Sequence, residues 1–358
     1  MLEGIRILDF TQLLPGPYAT LRLADLGAEV IKVEPPGGDP ARFMDNGSVF
    51  LANNRNKRSI VLDLKSQDDV LKAWNWAKSS DVILEGYRPG VAARLGIGYD
   101  TLRKINVGLV YCSLTGYGQT GPMRDLAGHD LNYLAASGVL DQLRQANKMP
   151  IVPSIQLGDL VGGIVAAEAI LAALVHRGKT GQGQYLDVSI TDALVGLLTN
   201  HFFIEAKSAQ SHGIEVLAGR VVCYNVYATS DNRYVALGAL EPKFWEAFCT
   251  AINRPEWLSN QFSPATCHNP VFREMVDLFA SRDRQFWAAL GAKADCCLTP
   301  VLAIAEVRDS DQAQDRGLVC EMTTAHWGLL YQTATHAGGH ASREIQRSVE
   351  PPPFDRCP

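Results

Sequence analysis

Residues 5–34 read IRILDFTQLLPGPYATLRLADLGAEVIKVE, and this stretch decides the fold. IRILDF is an apolar run of strand length. Pro15 and Pro17 follow where a helix can begin, because the first helical turn leaves its N–H groups without intrahelical partners and proline has none to lose. Gly27 stands where that helix can end, and EVIKVE is a second strand. Strand, helix and strand in so short a span predict a parallel βαβ unit.

The pattern continues outward. SIVLDL (59–64), DVILEGY (81–87) and LVYCSLTGYG (109–118) read as further strands, and QDDVLKAWNWAKSS (67–80) as a helix. Alternating elements of this kind predict a doubly wound α/β domain. The turn after the first strand carries no GxGxxG, and no GxxxxGK[ST] is present, so neither a nicotinamide cofactor nor nucleotide hydrolysis is indicated. Residues 158–177 predict a long, almost wholly apolar helix, closed by the glycine-rich HRGKTGQGQ, and YLDVSITDALVGLLTNHFF predicts a strand running into another apolar helix. Beyond a polar stretch ending near 221, VVCYNVYATSDNRYVALGAL predicts a hairpin turning at Ser-Asp-Asn, and two amphipathic helices follow. The expected organisation is a large domain over 1–200, a linker over 201–221 and a small α+β domain over 222–327. Residues 329–358 lose periodicity and are expected to pack loosely.

Bulk properties narrow the function. Hydrophobic residues make up 47% of the 358 and charged residues 20%, which is ordinary for a soluble globular protein, and a net charge of −5 argues against a nucleic-acid partner. Eight cysteines show no CxxC spacing, so neither a structural metal site nor a disulfide framework is expected. MLEGIRILDFTQ has charges inside its apolar part, unlike a signal peptide, and a cytoplasmic location is expected. No apolar run is expected to span a membrane, because Asp159 and Glu168 interrupt the best one.

Two stretches ask for a chemical explanation. AGHDLNYLAASGVL (127–140) sets His129 and Asp130 side by side before an apolar run, and IQLGDLVGGIVAAEAILAALVHR (155–177) places Asp159 at the mouth of an apolar helix. By local sequence alone His129 is a turn residue, Asp159 an N-cap, and Glu241 before Pro242 a helix-start charge. NNRNKRS (53–59) reads as a solvated loop. Gly162 and Gly163 allow either close helix packing or approach of a ligand to the backbone.

The blocks GIRILDFTQLLPGPYATLRLADLGAEVIKVE, RSIVLDLK, YRPGVAARLGIGYDTL, SLTGYGQTGP and GKTGQGQYLDVSITDA resemble family III CoA-transferases, the CaiB/BaiF group, in register from about residue 2 to 320. AGHDLNYLAASGVL, ALGALEPKFW and DCCLTPV resemble its α-methylacyl-CoA racemase branch. After about Trp327 the likeness fades. The resemblance implies a Rossmann-like large domain, a small domain, a return of the segment from about 328 to 358 to the large one, and a homodimer of two interlocked rings. It implies an acyl-CoA thioester as substrate and no cofactor beyond the CoA moiety itself.

Inverting C2 of a 2-methyl-branched acyl-CoA requires an acid/base on each face of the α-carbon and donors for the enolate oxygen. The resemblance gives these roles to His129 and Asp159, with Glu241 orienting the imidazole and the Asp130 backbone N–H at the enolate. For CoA and substrate contacts it points to Arg88 and Arg94, to Leu62, Asp63, Leu64 and Lys65, and to Gly128, Asp130, Leu131, Asn132 and Tyr133. Where the family often reads VERP this chain reads VEPP, with Pro35 in place of a phosphate-binding arginine; Arg42 is the expected substitute, and Arg55, Lys57 and Arg58 are further cations. The alternatives are a family III CoA-transferase working through an Asp159 anhydride and aspartyl-CoA thioester, and a CoA-thioester-binding dimer without turnover. Transferases of this family generally lack the GHD histidine and carry a glycine-rich loop where this chain reads ALGALEPKF.

Overall fold

A computed structural model describes residues 1–144, 149–208, 213–324 and 327–334. Among the described residues two compact units emerge: one comprises those of 1–139 and 152–197 and those from 310 on, the other those of 140–151 and 198–309.

In the first unit, β1 (Arg6–Asp9), α1 (Pro15–Asp25) and β2 (Glu29–Glu34) form the expected βαβ turn. β3 (Lys57–Val61), α2 (Gln67–Lys78), β4 (Val82–Glu85) and β5 (Val110–Thr115) continue it. α3 (Asp130–Ser137), α4 (Leu157–Thr180), β6 (Gln184–Ser189) and α5 (Ile190–Gly196) complete the set around the sheet. The six strands lie in the order β3-β2-β1-β4-β5-β6, every neighbouring pair parallel. The chain reverses its winding between β1 and β4, so the loops leaving those strands diverge and open a crevice at their carboxyl ends. Leu8, Phe10, Ile31, Val33, Ile83 and Tyr111 are buried against Ala73 and Ala77 of α2.

β3 begins and ends earlier than the run SIVLDL. Lys57 is drawn into the sheet by buried partners, and Asp63 turns the chain by accepting the Lys65 N–H at 3.0 Å. Leu62–Lys65 is therefore the turn after the strand.

α4 departs from expectation in one respect: by length and composition it is long and apolar enough to cross a membrane. Its Gly158, Gly162, Gly163, Ala166, Ala167, Ile170 and Ala173 are buried, and through that face it packs on α1, α5, β5 and β6. The two glycines of GG serve that packing. A Cβ at Gly162 would lie 2.7 Å from the Ile190 side chain, and one at Gly163 would lie 2.7 Å from the Pro15 carbonyl.

The first unit resumes at 310, earlier than the expected return near 328. Val319–Thr324 and Gly328–Thr333 pair as an antiparallel hairpin, contrary to the loose packing expected from residue 329. Gln332 is buried, and its side-chain oxygen accepts from the Arg55 guanidinium. The rest of the expected loose segment, 335–358, lies outside the described residues.

In the second unit, β7 (Tyr224–Ala228) and β8 (Tyr234–Gly238) are the expected hairpin, joined by β9 (Leu298–Pro300). α6 (Pro242–Ala251), α7 (Pro270–Ala280) and α8 (Arg284–Ala294) pack on it through Trp245, Phe248, Phe279 and Trp287. Tyr227 stacks on Phe279 with centroids 4.5 Å apart. The stretch taken for a linker begins inside the helix Thr199–Ser208, and the described residues of 198–221 belong to this unit.

Candidate active site

A cleft of about 440 Å³ opens at the carboxyl ends of the central strands. Gln12 and Leu13 enter it after β1, Tyr87 and Arg88 after β4, Tyr117 after β5 and Ile190 after β6. It thus occupies the crevice that the strand order creates.

The loop after β1 is fixed from beneath. Leu13 has φ +66°, which costs a branched side chain about 1–2 kcal/mol. Its N–H is held by Asp39 Oδ1 at 3.1 Å, Asp39 pairs with Lys32 at 2.8 Å, and Lys32 Nζ donates to the Thr11 carbonyl at 2.9 Å. The loop after β5 needs Gly116, since a Cβ there would lie 2.3 Å from the Tyr133 ring. Tyr133 donates its hydroxyl to the Gly128 carbonyl at 2.6 Å and meets Tyr117 edge-on at 5.2 Å. That aromatic pair sets the turn that presents His129.

His129 is the N-cap of α3, and Asn132 Oδ1 accepts its backbone N–H at 3.0 Å. The imidazole is exposed in the cleft. Asp130, the first residue of α3, has a backbone N–H that helix geometry leaves without an intrahelical acceptor. Asp159 also lines the cleft, but it is not the N-cap expected of it. α4 begins at Leu157, so Asp159 is the third residue of its first turn, and its N–H donates to Asp130 Oδ1 at 2.9 Å. With capping left to Asp130, the Asp159 carboxyl faces the cleft. Burial first, and then the neighbouring Asp130 carboxylate, push its pKa up to about 7. A helix N-terminus favours the ionised form by only about 0.3–1 kcal/mol, so burial and like charge prevail.

The other expected contacts divide. Gly128, His129, Asn132, Tyr133 and Arg88 line the same cleft as Asp159, whereas Leu131 is an exposed residue of α3. Arg94 is exposed on the short helix Val91–Arg94. Leu62 and Leu64 pack into the core beside α2, leaving Lys65 exposed. Arg42 is no free substitute for the missing arginine: it forms a bidentate pair with Glu34, with Nε–Oε2 at 2.7 Å and Nη2–Oε1 at 2.6 Å, and its guanidinium lies 3.6 Å over the Phe50 ring. Arg55 and Lys57 are fully buried and Arg58 leans on Glu29, so NNRNKRS is not a solvated run of phosphate ligands. Glu241 belongs to the second unit, where it is the N-cap of α6. Gln12, Leu13, Tyr87 and Tyr117 were missed as lining residues; their place in the first turns after β1, β4 and β5 was the available signal.

The sequence matches CoA-transferase family III over residues 2–354. The chain belongs to that family. The family match runs past Trp327, where the likeness had faded from view, and through the hairpin that holds Arg55. Among its relatives, the human alpha-methylacyl-CoA racemase is 34% identical over 322 residues, covering 88% of this chain and 81% of the racemase. The mouse succinyl-CoA:glutarate CoA-transferase is 36% identical over 337 residues, covering 90% and 76%. The crystal structure of Rv3272 from Mycobacterium tuberculosis superposes with a TM-score of 0.84 at 31% identity, covering 98% of this chain and 96% of that one. Two activities therefore stand at similar distance within family III, and identity alone does not choose between them.

Proposed function

We propose that this family III protein inverts C2 of 2-methyl-branched acyl-CoA thioesters by proton transfer between His129 and Asp159. One observation carries the reading: an imidazole and a carboxyl with a pKa near 7 line the same cleft. A carboxyl held near 7 can give or take a proton, and imidazole is the side chain most often used as a general acid or base, as a reaction run in both directions requires. One of them removes the α-proton, and the electron pair moves onto the thioester oxygen. The Asp130 N–H at the start of α3 stabilises that enolate, and the other group returns a proton to the opposite face. Arg88, at the rim, meets the CoA phosphates, and Glu241 supports the imidazole in an interlocked dimer. No group beyond the substrate's own CoA is required.

The second reading is CoA transfer, favoured by the glutarate transferase at 36% identity. There the Asp159 carboxylate attacks the thioester carbonyl, forms an anhydride and expels the CoA thiolate; the thiolate then attacks the aspartyl carbonyl, releasing the donor carboxylate and leaving the aspartyl thioester, from which an acceptor carboxylate takes CoA by the reverse steps. That nucleophile must be ionised, and a half-buried carboxyl beside another carboxylate is held against ionisation. The racemase reading uses that property, whereas the transferase works against it.

The test follows the α-proton of a single-epimer 2-methylacyl-CoA in D2O by NMR, with no acceptor acid present. Exchange with loss of stereochemical purity is expected, and His129→Ala should confine exchange to one epimer. An α-proton that stays in place sinks the proposal. CoA transfer to added acids that vanishes in Asp159→Ala would install the second reading.

A further inference from the structure

We propose that Asp130 is the positioning residue that joins the two reacting groups, its carboxylate on α3 holding the first turn of α4, and so Asp159, against the His129 turn. This rests on the reading that Asp159 is the reacting carboxyl, in either its racemase or its transferase form. The two groups come from separate helix starts 30 residues apart in sequence, His129 capping α3 and Asp159 in the first turn of α4. Asp130 follows His129 in the chain, and its Oδ1 accepts the Asp159 N–H at 2.9 Å. That N–H has no intrahelical acceptor, so Asp130 caps α4 from another element. The fit is close: a Cβ at Gly158 would lie 3.1 Å from Asp130 Oδ1 and 3.2 Å from the Leu194 side chain. Glycine at 158 lets the two helix starts approach.

A neutral acceptor would hold the same N–H, so the negative charge has a second effect. The ionisable side chains on the elements around Asp159 include His129, Tyr133, Tyr117, Arg88, Tyr18 on α1 and Asp192 on α5. The charge that raises the Asp159 pKa is that of Asp130. One side chain thus fixes where Asp159 stands and supports its proton.

The experiment separates those roles with Asp130→Asn, which keeps an acceptor and removes the charge, and Asp130→Ala, which removes both. The Asp159 carboxyl is titrated by 13C NMR in protein labelled at aspartate, without substrate, and assigned with Asp159→Asn. Hydrogen exchange at the Asp159 amide is read in parallel. Both variants should lower the Asp159 midpoint by about one unit or more. The amide should stay protected in the Asn variant and lose protection in the Ala variant. The low-pH limb of turnover should follow the midpoint down, with kcat in the Ala variant about 10- to 100-fold below that of the Asn variant. An unmoved midpoint in Asp130→Asn, or equal amide protection and kcat in the two variants, overturns the proposal. Titration and amide exchange need no reaction, so they judge Asp130 even if no α-proton exchange is found.

Discussion

Two sets of charges lie along the same side of the sheet, and they are treated in opposite ways. Beneath α1, Asp9, Lys32, Asp39 and Lys57 are fully buried and answer one another. Lys57 donates to Thr20 Oγ1 and the Pro17 carbonyl at 2.8 Å, and to Asn54 Oδ1 at 3.0 Å, while pairing with Asp9 at 3.5 Å. Burial works to raise the Asp9 pKa, but the ammonium groups of Lys57 and Lys32 outweigh it and hold the carboxyl below its usual range. In the cleft, Asp159 is only half-buried, yet it meets another carboxylate and, among the described residues, no ion-pair partner. Mutual pairing makes the first set scaffold, although burial pulls the Lys57 ammonium down to about 7. Incomplete pairing leaves the second set with protons to exchange.

The sharpest way to break this contrast is Asp159→Asn. Turnover by either route should fall about a thousandfold or more, read as α-proton exchange or as CoA transfer. Stability should move the other way. An unfolded aspartate titrates near its ordinary value, whereas the folded carboxyl titrates near 7, so folding holds a proton that the unfolded chain releases. That stabilising contribution is complete below about pH 4 and lost as pH rises through 7. The amide of the variant has no such proton to lose, so thermal and urea unfolding at pH 8 should show the variant more stable by roughly 2–4 kcal/mol, with little difference at pH 4. A variant of equal stability at both pH values would mean that folding leaves the Asp159 carboxyl unshifted, and a variant less stable at pH 8 would mean that Asp159 is answered as Asp9 is.

Asp9→Ala tests the other side of the contrast. It strands Lys57 in the core and should cost about 3–5 kcal/mol in urea unfolding; a loss below about 1 kcal/mol would show the buried set to be dispensable. Arg88→Ala sharpens the account at the rim. It should raise KM for an acyl-CoA about tenfold with kcat nearly unchanged, as expected for lost charge-assisted contacts to phosphate. The smallest effect is expected from Arg58→Ala. Arg58 is exposed beside Glu29, and its removal should change stability by less than about 0.5 kcal/mol and leave KM alone. A KM effect there would return the NNRNKRS cations to the ligand.

The legible parts of the molecule were those written in local pattern. The βαβ opening, the later hairpin and the long α4 follow from periodicity and punctuation, and a single acid in the first turn of an apolar helix marked Asp159. What was hidden depended on partners far along the chain. Arg55 and Lys57 look like loop cations until Asp25 and Asp9 are seen to take them inside. Asp159 looks like its own helix cap until Asp130 supplies the acceptor from α3. Arg42 looks available until Glu34 and Phe50 engage it. Gly162 and Gly163 admit two readings until Ile190 and Pro15 are placed against them.

The hairpin at 319–333 has a consequence for the order in which the protein can be made. Arg55 bonds Asp25 nearby through Nε and Nη2, but Nη1 reaches the Gln332 side chain and Nη2 also the Thr333 carbonyl, across 277 and 278 residues. A nascent chain leaving the ribosome amino end first has all six parallel strands by Ser189, with these acceptors still unmade. The whole second unit must be synthesised before they emerge. Such long closure is entropically costly and late. The first unit therefore gains these two bonds only after the second unit has been made.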